Sequence, residues 1–146
     1  MVGTTRKCGT CSLCCKLPYV WELKKSIDTW CRHCWPARGG CTIYAERPLS
    51  CREFVCDWLS GHADDAWFPD RCKMVLEQIN KDHFLVTVDP AFPEAWRQEP
   101  YYTSLRTYAG QGLFVELRIG RRFIGLTADG SEQEAYRSQA HIEGRP

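Results

Sequence analysis

The sequence has no long apolar run, no marked excess of either charge, and few aliphatic side chains in its first 65 residues. No stretch approaches the ~18 consecutive apolar residues of a membrane-spanning helix. The opening MVGTTRKCGT lacks the apolar segment of a secretion signal, so a cytoplasmic protein is expected. A net charge of +1 gives no electrostatic footprint for nucleic acid or an anionic membrane, and neither is expected as a partner. P-loop, GxGxxG and HExxH patterns are missing, which removes the nucleotide-binding and metalloprotease chemistries they carry. Repeats and low-complexity segments are missing too.

What is abundant is cysteine. Of ten cysteines, nine lie before residue 57: Cys8, Cys11, Cys14, Cys15, Cys31, Cys34, Cys41, Cys51 and Cys56. Only Cys72 lies outside. A disulfide framework needs an oxidising compartment, so metal ligation is the expected use. Thiolates hold zinc or iron tetrahedrally, and a CxxC turn lets two sulfurs converge on one ion. CGTC (8–11) and CSLC (11–14) overlap at Cys11, and CRHC (31–34) supplies a further pair. All nine are candidate metal ligands, one more than two complete four-sulfur sites require.

The order CGTCSLCC, CRHC, then GCTIYAERPLSCREFVCDW (40–58) resembles the CxxCxxCC proteins, the YkgJ-like cysteine-cluster family described as zinc- or iron-chelating domains. The resemblance spans about residues 8 to 58. It implies a metal site built from eight cysteines: Cys8, Cys11, Cys14, Cys15, Cys41, Cys51, Cys56 and one of Cys31 and Cys34. It implies little about a substrate.

CxxCxxC is also similar to the start of a bacterial ferredoxin run, in which the next cysteine comes four positions on and precedes a proline. Here Pro18 occupies that position and Cys15 follows Cys14 directly. Zinc, about two ions, is therefore preferred over an iron–sulfur cluster, because it tolerates varied spacings. Two zinc ions with eight thiolates would take the formal charge from +1 to about −3. Lys7, Lys16, Arg32, Arg38, Arg47 and Arg52 lie among the ligands, and Arg47 and Arg52 are the expected donors to the sulfurs. If Cys14 and Cys15 sit in an extended segment they point opposite ways, so they should not share one mononuclear ion.

The 146 residues suggest a single α+β domain. Residues 1–65 form an irregular, metal-stapled cysteine-rich part, 66–130 an antiparallel sheet with a helix, and 131–146 a polar tail. CKMVLEQI (72–79) and HFLVTVDP (83–90) read as strands around a polar turn. Pro93 to about Tyr108 reads as a helix that Pro100 kinks or breaks. LFVELRIG and RRFIGLTA read as a hairpin over Gly120-Arg121, glycine first as a type II′ turn requires. The tail carries at most a short helix. Its IEGR matches a protease-cleavage linker, a coincidence given no functional weight.

Weaker signals have ordinary explanations beside their functional ones. His33 and His62 could be ligands, but are more often neighbours. Trp30, Trp35 and Trp58 could screen a metal, although packing of a small core explains them as well, as it does Phe54 and Tyr44. Cys72 reads as a buried small hydrophobe, and Asp64, Asp65 and Asp129 as solvated turn residues. The leading expectation is a metal-binding protein whose C-terminal half is a lid or a platform for a protein partner. The rival is an iron–sulfur enzyme or accessory subunit for electron transfer or protein modification.

Overall fold

In the computed structural model, residues 6, 8, 11–34 and 40–145 are described. Five strands form one sheet in chain order: β1 (Met74–Asn80), β2 (His83–Val88), β3 (Phe114–Ile119), β4 (Arg122–Leu126) and β5 (Glu132–Tyr136). Helices are short: α1 (Leu49–Glu53), α2 (Asp57–Ser60), α3 (Pro69–Cys72), α4 (Tyr101–Gly110) and α5 (Gln139–Ile142). The expected α+β class is present, with single turns of 3-10 helix through the cysteine-rich half.

The sheet is antiparallel except between β2 and β3, which run parallel from His83↔Phe114 to Val88↔Ile119. Parallel neighbours need a crossover rather than a tight turn, and residues 89–113 supply it with α4. The helix expected from Pro93 is interrupted as foreseen: a 3-10 turn covers Ala95–Arg97, and α4 starts after Pro100. The β3–β4 turn is Gly120-Arg121, with Gly120 at φ +62° and register Ile119↔Arg122.

Alternation along the strands separates two faces. Val86, Val88, Val115, Leu117 and Ile124 form the main core with Trp96 and Leu105. The cysteine-rich part covers the other face, where Leu13 and Leu17 pack on Val75. Arg118, opposite in direction to Leu117, crosses this second interface. It donates to Leu17 O at 3.0 Å and Gly120 O at 2.9 Å, and pairs with Asp28 at 3.0 Å. Lys16 pairs with Asp89 at 2.7 Å, and Ile27 N donates to the buried Glu143 carboxylate at 3.0 Å.

Two local expectations change. Cys72 ends α3 rather than starting a strand, because the chain turns through Lys73 at φ +63° before β1 begins. Residues 132–136 of the polar tail add an exposed fifth strand, paired with β4 through the backbone, which needs no apolar side chain. Glu143 of the IEGR stretch, within the polar tail, anchors the loop at Ile27.

Candidate metal centre

The cysteine run from Cys8 is folded by its own backbone. Cys11 N donates to Cys8 O at 2.8 Å, and Cys15 N to Ser12 O at 2.8 Å, closing a 3-10 turn over Leu13–Cys15. Leu13 is buried against the sheet beside Val75 and Leu17. The extended segment expected here is a turn, in which Cys14 and Cys15 need not point opposite ways. The turn is closed by backbone bonds, with Lys16 N and Leu17 N both donating to Leu13 O, at 3.0 and 3.1 Å, and Leu13 and Leu17 both reach the core.

Cys8, Cys11, Cys14 and Cys56 line one small cavity of about 20 Å³, closed by Trp58, Leu59, Pro69 and Val75. That volume admits about one water-sized sphere. Cys56 arrives from the far end of the motif as the N-cap of α2, its sulfur accepting from Leu59 N at 3.4 Å. The Asp70 backbone N–H, in α3, is a partner of the Cys11 thiol.

The remaining thiols gather on the other side of Cys14. Cys34 lies close to Cys15, whose backbone carbonyl receives Cys31 N at 3.0 Å. Cys34 and Cys41 form an isolated antiparallel bridge. Cys51 is within electrostatic reach of Cys14, Cys31 and Cys41. All ten cysteines are free thiols. Cys72 stands apart in the main core, donating to Met74 O at 3.2 Å.

The electrostatics single out Cys14. The hydrogen bond from Cys15 lowers its pKa to about 7, with help from its own backbone N–H, Arg47 and Lys25 and against burial. Cys15, the donor, is pushed up. Burial raises Cys11 and Cys72 to about 12, and also raises Cys8, Cys34, Cys51 and Cys56.

Of the expected cations, Arg47 does act on sulfur, its charge favouring the thiolates of Cys8 and Cys14. It lies 3.8 Å over the ring of Tyr44, which is exposed rather than packed in a core. Arg52 is exposed on α1, and Lys7, Arg38 and Trp35 lie outside the described residues. The cation that sequence reasoning missed is Lys25. It is only 6% exposed, and its ammonium donates to the carbonyls of Lys16, Ser26 and Thr29, each at 2.7 Å. Burial lowers its pKa to about 8, partly offset by Cys31, Asp28 and Cys15. A lysine spaced away from the motif gives no signal in the sequence, because its position depends on the loop folding back.

Neither histidine ring is shown among the sulfurs. His33 donates its backbone N–H to Cys31 Sγ at 3.4 Å, and His62 Nδ1 lies 2.7 Å from Ser60 Oγ. Trp58 lines the small cavity, whereas Trp30 is partly exposed beside the Lys16 ammonium.

The donor chemistry suits a soft, thiol-seeking ion, and the small cavity has the volume of one. Among the described residues, however, no three His, Cys, Asp or Glu side chains converge closely enough to hold an ion as they stand. No helix among the described residues is long and apolar enough to cross a membrane. No family model, curated protein or solved structure matches the chain.

Proposed function

We propose that this chain is a cytoplasmic thiolate metal-binding protein of the CxxCxxCC type, holding about two ions. The observation that carries the reading is the cavity shared by Cys8, Cys11, Cys14 and Cys56, four cysteines brought together from residues 48 positions apart. Its volume of about 20 Å³ suits one ion and favours zinc over an iron–sulfur cluster, for which the walls would have to part. The second ion draws its ligands from Cys15, Cys31, Cys34, Cys41 and Cys51. Cys14 and Cys15 then serve one ion each, despite lying in a turn.

Binding requires the thiols to lose protons and converge, which the buried Lys25 and the nearby Arg47 favour by stabilising negative sulfur. Zinc held by four thiolates is a structural cross-link, and the C-terminal sheet is the platform on which the cross-linked half rests. A protein partner is compatible with this arrangement.

Metal analysis of protein purified with and without oxygen tests the reading. Wild type should carry close to two zinc ions, Cys56→Ser should lose the first, and Cys51→Ser the second. A brown anaerobic preparation absorbing near about 400 nm would replace zinc by an iron–sulfur centre and favour the electron-transfer reading. Protein without stoichiometric metal under both conditions would overturn the proposal.

A further inference from the structure

Away from the cysteines, a cavity of about 370 Å³ opens between α3, the turn after β2 and the approach to α4. It is a shallow groove, open to solvent over most of its extent and largely apolar in its lining. Arg71 and Lys73 supply positive charge to its wall, Phe92 and Tyr101 aromatic surface, and Gln98 an amide. Neither Arg71 nor Lys73 belongs to an ion pair among the described residues. The carboxylate on the wall, Glu94, is already engaged by Arg97 at 3.2 Å. Arg97 is shared with Glu132 at 2.9 Å, so the lining, with Arg71, Lys73 and Glu94, carries a net charge of +1.

The lining is held firmly. Tyr101 donates its hydroxyl to Ala66 O at 2.7 Å and sets its ring edge-on to Trp67, 5.0 Å between centroids. Lys73 Nζ lies 5.2 Å from the ring centre of Phe92, which is 48% exposed. Lys73 itself has φ +63°, a left-handed conformation that glycine or asparagine adopts more readily. Hydrogen bonds fix it there: its N–H donates to Pro69 O at 2.8 Å and its carbonyl accepts from Asp89 N at 2.9 Å. This conformation is the left-handed end of α3, and it fixes where the Lys73 side chain leaves the backbone at the cavity wall.

We propose that this cavity binds a small planar anion: a flat ring bearing one phosphate or carboxylate. The ring lies on the aromatic wall, a guanidinium such as that of Arg71 takes the anion through two N–H groups, and Lys73 adds a second charge. The site shares no ligand residue with the cysteine centre and stands whether or not that centre holds metal.

The experiment is a titration of the full-length, isotopically labelled protein followed by amide chemical shifts. Four probes are compared: AMP, indole-3-acetate, adenosine and inorganic phosphate. Saturable shifts at Arg71–Lys73 and Phe92–Gln98 are expected with AMP or indole-3-acetate, and the stronger of these identifies the anion as phosphate or carboxylate. Adenosine and inorganic phosphate should bind at least roughly tenfold more weakly than the better ring-bearing anion, since each lacks one of the two elements. Arg71→Gln and Lys73→Asn should each weaken binding by roughly tenfold, while asparagine retains the left-handed turn and an unchanged spectrum elsewhere. Three results would each overturn the site: no saturable shift with either ring-bearing anion, equal binding of adenosine or phosphate, or wild-type affinity in both variants.

Discussion

Cys14 is distinguished from its neighbours by one hydrogen bond rather than by exposure. Adjacent cysteines in an extended chain would not meet, but the 3-10 turn over Leu13–Cys15 brings the two thiols together, so Cys15 can donate and Cys14 can ionise. The Cys14 thiol is lowered, by Cys15 first, while burial raises Cys11 and Cys72, so Cys14 is the thiol that ionises first of the three in metal-free protein. Reduced, metal-free protein should therefore be alkylated by iodoacetamide at Cys14 ahead of Cys11 and Cys72, with a rate that rises through about pH 7. Cys15→Ala removes the donor, so the midpoint should move up and Cys14 labelling at pH 7 should fall by roughly tenfold. Peptide mapping by mass spectrometry reads both effects; an unchanged midpoint in the variant would show that Arg47 and Lys25 suffice. The pairing itself was not legible in the sequence, where only the adjacency of Cys14 and Cys15 could be seen.

The elements divide according to how local their causes are. Strands β1 and β2 and the β3–β4 hairpin follow from alternation and from a glycine at the turn, so the sequence showed them to within a few residues. The parallel β2–β3 pairing was hidden because it depends on the path of residues 89–113, and β5 because its pairing is made by backbone. Arg118 illustrates the same point. It alternates with the apolar Leu117 and Ile119 along β3, yet only 6% of it is exposed, since the second face of the sheet is covered by the loop carrying Leu17 and Asp28. Replacing it leaves the half-buried Asp28 carboxylate and two carbonyls without their partner at once. Arg118→Met should destabilise the fold by about 3–5 kcal/mol in urea unfolding. Asp28→Asn in the same background should recover part of the loss, because the unpaired charge is then gone. A loss under about 1 kcal/mol for Arg118→Met would mean that water replaces the guanidinium there.

Over the whole molecule, two stretches of the cysteine-rich half are held by different means. Residues 11–29 are anchored to the sheet without metal: Leu13 and Leu17 are buried, Lys16 pairs with Asp89, Asp28 with Arg118, and Ile27 with Glu143. Residues 40–53, which carry Cys41 and Cys51, have no buried side chain. Their ties are few and peripheral: Glu22 receives Ser50 N at 2.9 Å and Ser50 Oγ at 2.7 Å, and Thr42 N donates to His33 O at 2.7 Å. So little apolar burial cannot offset the entropy of ordering such a segment, and thiolate cross-links are the available substitute. The sequence indicated the shortage of core across residues 1–65, but not that 11–29 escapes it, because those anchors lie far along the chain. If the proposed ions are bound, the effect of removing them with a strong chelator should be uneven. Hydrogen exchange should rise through 40–53 to nearly that of unstructured chain, while amides in 16–29 and the central strands keep most of their protection. Equal loss through both stretches would make metal the staple of the entire half. Unchanged protection in 40–53 would show that the segment is ordered by packing alone.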